Sequence, residues 1–393
     1  MDRKKLILHI GHGKTGTSAI QTFLAMNARL LLDYGISYPQ HRSFKIARNG
    51  WTSSGNFDAK SNLQTILKQH AAGESKTLLL SSEYLFRHLL LDLSQDEMRQ
   101  ISAEFDVTII TYVRDAVDYL VSIWGQSIKR EGNTQNLSEF VQKNFDYPQP
   151  VSAFIEKYQG LELQLVFRNY SRQREHLIPD FCGIILNGTP TDFLSQAATH
   201  NRPVNRSLTI AEYEIQRQFN TYCKDKIPAR FVSDPLVNYL PDIPSESPDI
   251  SRDALEHLRL IACPRIKKAN ALLPSDAQIS FDEERLKIAP EAEDKTYTFT
   301  ADQLSVLVQS LSAGLQPNTG MVDLQEFPSP TRKAKILIRD VALKYETGAP
   351  VTPEEALGLL ELIDDAGIAG PLVKRKMKEI AQLLETGFPQ KHP

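Results

Sequence analysis

Four short apolar runs, Lys5–Ile10, Thr77–Ser81, Val107–Val113 and Leu163–Phe167, stand out in the first part of the chain, separated by longer, more polar stretches. Runs of this length without strict alternation are what a strand buried on both faces requires. Between them the apolar residues recur at helical spacing, as in Ala19, Ile20, Phe23 and Leu24. Strand alternating with helix predicts a parallel sheet covered on both sides: a three-layer α/β/α core. Such sheets bind ligands at the carboxyl ends of their strands, so the residues just after each run are the ones to read for chemistry.

After the first run comes Gly11-His12-Gly13-Lys14-Thr15-Gly16-Thr17-Ser18. Glycines permit a tight turn and a close approach of ligand to backbone, and the hydroxyls fall where a helix begins and its amides point outward. Phosphate is the natural guest. The nucleotide loop Gly-x-x-x-x-Gly-Lys-Thr would need glycine at position 8, and Leu8 stands there, inside the strand. The shorter segment Lys14-Thr15-Gly16-Thr17-Ser18 resembles the 5′-phosphosulfate loop of sulfotransferases that use 3′-phosphoadenosine 5′-phosphosulfate (PAPS). The bland alternative is a glycine-rich turn with no ligand.

The third run leads into Arg114-Asp115, and Ser122 follows on what the spacing predicts to be the second turn of a helix. An arginine at a strand end and a serine on the next helix can share one anion. Alone, Arg114 reads equally as a surface partner of Asp115 or Asp118. Together with the loop, this strand-Arg-Ser spacing is similar to the 3′-phosphate site of sulfotransferases, and Tyr119 to Lys129 resembles bacterial members of that family. The likeness covers about residues 5 to 220.

The resemblance implies a P-loop-like core that binds PAPS through Gly13, Lys14, Thr15, Gly16, Thr17, Ser18, Arg114 and Ser122, and releases PAP. Lys14 would stabilise charge on the leaving oxygen. A base is needed for the acceptor hydroxyl, and Glu83, at the end of the second run, leads, with His41 and His12 in reserve. Glu83 reads equally as a carboxylate at a helix N-terminus. The family's carboxylate, some twenty to thirty residues after the loop lysine, has no glutamate counterpart here; that window holds Asp33 and His41. Trp51, in a polar stretch suited to sugars, and His12 are candidates for the acceptor; Arg168 and Tyr170 are candidates for the nucleotide or an anionic acceptor, and Arg168 reads equally as a solvated charge. Trp124 reads as core. The acceptor implied by the family is a carbohydrate or glycoconjugate hydroxyl. Two rivals are an ATP-dependent small-molecule kinase, which would need Mg²⁺, and a non-catalytic nucleotide-binding assembly protein.

Composition narrows the partners. The 393 residues include 45 Lys and Arg against 48 Asp and Glu, a net charge of -3, so no broad positive field is available for nucleic acid or an anionic membrane. No His, Cys, Asp and Glu cluster has metal-ligand spacing. Cys182, Cys223 and Cys263 are odd in number and far apart, as in a reducing compartment. The first apolar run is too short for a signal segment or a membrane span, and the cytoplasm is the expected location. We expect a PAPS-binding core over 1–225, a helical and irregular extension over 226–300, and a helical appendage over 301–393. Its helices, at 301–315, 332–345, 353–366 and 371–384, offer a route to homo-oligomers.

Overall fold

The structure is a computed structural model and describes residues 3–41, 44–48, 55–188, 190–199, 206–223, 228–289 and 296–315. Five strands, β1 (Lys4–Ile10), β2 (Ile36–Ser37), β3 (Thr77–Ser82), β4 (Phe105–Val113) and β5 (Gln164–Asn169), form one parallel sheet in the order β2-β3-β1-β4-β5. The four runs expected from the sequence are its four long strands. β1 lies at the centre, and the chain passes from β3 on one side of it to β4 on the other. This crossing makes the carboxyl end of β1 a topological switch point, the place where a crevice opens in such sheets.

Side chains alternate across the sheet and fill two cores. Leu6, Leu8, Ile10, Leu78, Leu80, Val107 and Ile109 enter one, with the helices Gln95–Glu104, Ala116–Glu131 and Gln149–Tyr158. Ile7, Leu79, Ile110, Tyr112 and Val166 enter the other, beneath the helices Thr17–Met26 and Leu177–Ile185. The architecture is therefore α/β/α. Leu6, Leu8 and Ile10 are wholly buried, and truncating any one to alanine would cost about 2–5 kcal/mol. That rigid strand carries the loop that follows it.

The segment beyond residue 225 adds to the same core. Ala254, Leu258, Ala262 and Ala269 of the helix Arg252–Asn270 are buried against it, and β6 (Asp249–Ile250) pairs with β7 (Lys287–Ile288) in a small parallel sheet. Between them, residues near Ser280 strap across the ends of β4 and β5. Ala116 N donates to Ser280 O (3.0 Å), and Asp115 Oδ1 accepts from both Ser280 N (2.9 Å) and Asn169 Nδ2 (2.8 Å). The helix Ala301–Leu315 buries Leu307 against Val232 and Leu236. The chain divides into two compact units, Met1–Ser310 and Leu311–Pro393. The helices expected at 332–345, 353–366 and 371–384 lie outside the described residues.

Candidate active site

The loop after β1 starts beside the end of β3, where Gly11 N donates to Ser82 O (3.1 Å). A Cβ on Gly11 would come within 2.6 Å of Thr17 Oγ1 and 3.0 Å of Glu83 Cγ, so its hydrogen makes room for both side chains. Gly13 (φ 82°), Lys14 (φ 58°) and Gly16 (φ 79°) then turn the chain through left-handed backbone. For Lys14 that conformation is strained, by about 1–2 kcal/mol, and persists only where the surroundings enforce it. Two contacts do so. Arg114 Nη1 donates to the Lys14 carbonyl (2.8 Å), and Lys14 Nζ donates to Gln126 Oε1 (2.9 Å).

The helix Thr17–Met26 opens at Gly16 with no side-chain cap. Around that uncapped end Thr15 Oγ1, Thr17 Oγ1 and Arg114 Nε are buried with no hydrogen-bond partner. Buried polar atoms are rarely left unpaired, and three of them beside an open helix N-terminus fit an anionic group. Arg114 belongs to the same place: its guanidinium lies 5.3 Å over the Tyr170 ring, and Tyr147 Oη both donates to its carbonyl and accepts from its N–H. Neither nearby carboxylate pairs with it. Asp115 is bound by Asn169 and Ser280, and Asp118 by Ser171 and Arg285. Burial pulls the guanidinium below its ordinary range, with Asp118 opposing.

Loop and arginine thus meet at one point, although 100 residues separate Lys14 from Arg114. Ser122 sits one turn before Gln126 on the helix Ala116–Glu131, hence on the face that meets Lys14. Burial lowers the Lys14 ammonium, an effect that Glu83 opposes and Arg114 reinforces. Glu83 keeps access to solvent, yet protein crowds it closely enough that lost hydration raises its carboxyl, with Lys14 pulling the other way. A raised carboxyl and a lowered ammonium thus act on each other electrostatically beside the loop.

The remaining candidates scatter. His12 is boxed by the rings of Phe86, Tyr119 and Tyr147, and burial drops its pKa to about 4, so it stays neutral. His9 is fully buried against Tyr112 and Phe181, with Nδ1 2.8 Å from Ser81 Oγ. His41 lies 3.3 Å from Asp58, on the segment that runs beside the end of β3. Arg168 turns away to Asp180 (3.3 Å) and Asp276 (3.0 Å), where it braces β5 rather than the loop. Tyr170, by contrast, packs against Gly16. Trp51 lies outside the described residues. Trp124 is core, against Tyr213.

Sequence reading gave no role to Gln126, Tyr147 or Lys129. Gln126 had a signal, its one-turn spacing from Ser122. Tyr147 had none. Lys129 is buried one turn beyond Gln126, where burial first and then the charge of Lys14 bring it down to about 7. Among the described residues no group of three or more His, Cys, Asp or Glu is placed to hold a metal ion, and no helix is long and apolar enough to cross a membrane.

No family model and no curated protein matches the chain. Among solved structures it is similar to a crystal structure of retinol dehydratase in complex with androsterone and inactive cofactor PAP. The identity is 12%, over 82% of this chain and 84% of that one, with a TM-score of 0.26. A superposition that loose has no bearing on this chain's chemistry.

Proposed function

We propose that this chain is a sulfotransferase that moves a sulfuryl group from PAPS to an acceptor hydroxyl. The observation that carries the reading is the meeting of Arg114 with the loop at Lys14, ringed by buried donors that lack partners. One nucleotide with anionic groups at two positions would satisfy all of them. Thr15, Gly16, Thr17 and Ser18 hold its 5′-phosphate with amides and hydroxyls, and Arg114 with Ser122 holds the 3′-phosphate. PAPS supplies the activated sulfuryl group, whose bond to the leaving oxygen breaks as the acceptor oxygen bonds to sulfur.

The chain's own residues supply the rest. Glu83 takes the proton of the acceptor hydroxyl, and its raised pKa makes its carboxylate a stronger base. Lys14, its ammonium steadied by Gln126, stabilises the oxygen that gains charge. The acceptor, following the family resemblance, is a carbohydrate or glycoconjugate hydroxyl. All three cysteines are free, as a reducing compartment keeps them, which favours the cytoplasm.

Calorimetry with adenosine 3′,5′-bisphosphate tests the reading. Binding without Mg²⁺, together with much weaker ATP binding, is expected; tight ATP binding that requires Mg²⁺ would overturn it in favour of a kinase.

A further inference from the structure

The side of the site that faces Glu83 is built from rings. Glu83 opens the helix Glu83–Arg87, and Phe86 follows one turn later on the same face. Phe86 meets His12 edge-on at 4.7 Å, His12 meets Tyr119 at 5.3 Å, and Tyr147 backs Tyr119 with a stacked ring at 4.1 Å. His12 directly follows Gly11, whose lack of a Cβ makes room for Glu83 Cγ. Tyr119 lies one turn before Ser122 and two before Gln126 on the helix Ala116–Glu131, hence on the face that meets Lys14. A wall of Phe86, His12 and Tyr119 therefore runs from the proposed base to the helix that steadies the loop lysine.

Its composition restricts what it can hold. Phe86 and Tyr119 are only partly buried, although both carry large rings. The Tyr119 hydroxyl makes no hydrogen bond among the described residues, and burial, then Asp146 and Glu83, push its pKa up to about 12, so it stays a donor. Of the charged groups around the wall, Glu83 and Asp146 are exposed carboxylates, and Arg87 turns to Asp92 (4.0 Å). The cations Lys14 and Arg114 are taken by the nucleotide in the reading above. An acceptor with a carboxylate or sulfate of its own would be repelled by the two exposed carboxylates. A plain aromatic alcohol would leave the Tyr119 donor without a partner. An uncharged ring with an apolar C–H face and several hydroxyls suits both features.

We propose that Phe86 and Tyr119 form the acceptor subsite and select an uncharged saccharide, its C–H face against the two rings and a hydroxyl beside the reacting one accepting from Tyr119 Oη. The inference rests on the sulfotransferase reading, since it takes Glu83 as the base and the loop as the nucleotide's place. It narrows the acceptor from any carbohydrate hydroxyl to one on a sugar without carboxylate or sulfate groups. Both residues bind and orient the acceptor, and the proton still passes to Glu83.

Transfer from ³⁵S-labelled PAPS by the full chain tests it with three probes: a mixture of lactose, maltose and N,N′-diacetylchitobiose; an unsulfated chondroitin disaccharide, which carries a uronate; and p-nitrophenol. The neutral sugars should be labelled with a kcat/KM at least about tenfold above that of either other probe. Tyr119→Phe, which removes only the hydroxyl, should raise KM for the neutral sugar about fivefold, as for one neutral hydrogen bond, and leave kcat and the Kd of adenosine 3′,5′-bisphosphate within about twofold. Phe86→Leu keeps apolar bulk without the ring and should raise the same KM about tenfold, with the bisphosphate Kd again showing that the variant is folded. Preferred labelling of the uronate or the phenol, or an unchanged KM in either variant, overturns the inference. A chain that binds the bisphosphate and labels no neutral sugar also overturns it, while the sulfotransferase reading stands. A chain that does not bind the bisphosphate overturns that reading, and this inference with it.

Discussion

Two arginines, Arg206 buried and Arg114 partly buried, show what a finished ion pair looks like and what an unfinished one looks like. Arg206 uses all five of its N–H groups: its fork meets both oxygens of Glu212 (2.7 and 2.8 Å), and the rest reach the carbonyls of Ser207, Leu236 and Leu240. Burial pushes the Glu212 carboxyl up, but the Arg206 fork, the Gln303 amide and the Thr209 N–H together hold it below its ordinary value. Arg114 makes one side-chain hydrogen bond among the described residues, to a carbonyl, and leaves Nε buried and bare. A buried cation is tolerated when its partner is present or when the partner is a ligand. Arg206 illustrates the first case, and under the proposed function Arg114 is the second.

That contrast predicts opposite phenotypes. Arg206→Ala strands Glu212 and should lower stability by about 3–5 kcal/mol, read as a shift in the urea midpoint. Because the native Glu212 pKa is depressed, its share of stability is present above the ordinary value of 4.5 and fades as pH falls through the depressed value; Arg206→Ala should flatten that acid dependence. Arg114→Ala should change stability by less than about 1 kcal/mol and weaken bisphosphate binding by about 10- to 100-fold. Equal destabilisation by both substitutions would erase the distinction. At the loop, Lys14→Ala should cut kcat for sulfuryl transfer by about 10²- to 10³-fold with unfolding unchanged.

Glu83→Gln should lower kcat by about a hundredfold and leave nucleotide binding intact. Its pH signature is sharper than its size. As the proposed base Glu83 would work as a carboxylate, and its pKa is raised, so the rising limb of kcat should lie above the ordinary value of 4.5. In the same proposal Lys14 would work as an ammonium, and its pKa is lowered, so the falling limb should lie below 10.5. The substitution should abolish the first limb and move the second to lower pH, because Glu83 is the charge that supports the Lys14 ammonium. A profile with an unchanged acid limb would pass the role of base to His41, already paired with Asp58.

How far the sequence could be read follows from where each signal resides. The four long strands were legible because burial on both faces writes them as apolar runs, whereas β2, two residues at the sheet edge, has no period to detect. The loop was legible because left-handed backbone and close approach favour glycine, and Gly13 and Gly16 both have positive φ. Arg114 and Arg168 looked alike, each directly after or near the end of an apolar run. What separates them is long-range: Asp180 and Asp276 neutralise Arg168, and Asp276 lies 108 residues away. Tyr147, which grips the Arg114 backbone, and Asp58, which meets His41, are equally a matter of tertiary structure.

The smallest effect expected is at Gln126, and it tests the geometry at Lys14 most closely. Its amide oxygen accepts from the Lys14 ammonium at 2.9 Å, a charge-assisted contact to an uncharged acceptor worth about 1.5 kcal/mol net. Gln126→Leu should therefore lower kcat by about tenfold. Loss of an acceptor also leaves a partly desolvated ammonium harder to keep charged, so the alkaline limb should move to lower pH. Gln126→Glu puts a carboxylate at the same distance and should move that limb to higher pH. Simple disturbance of helix packing would not shift the limb in opposite directions, so pH-rate profiles of the two variants separate a contact that positions Lys14 from one that merely fills space.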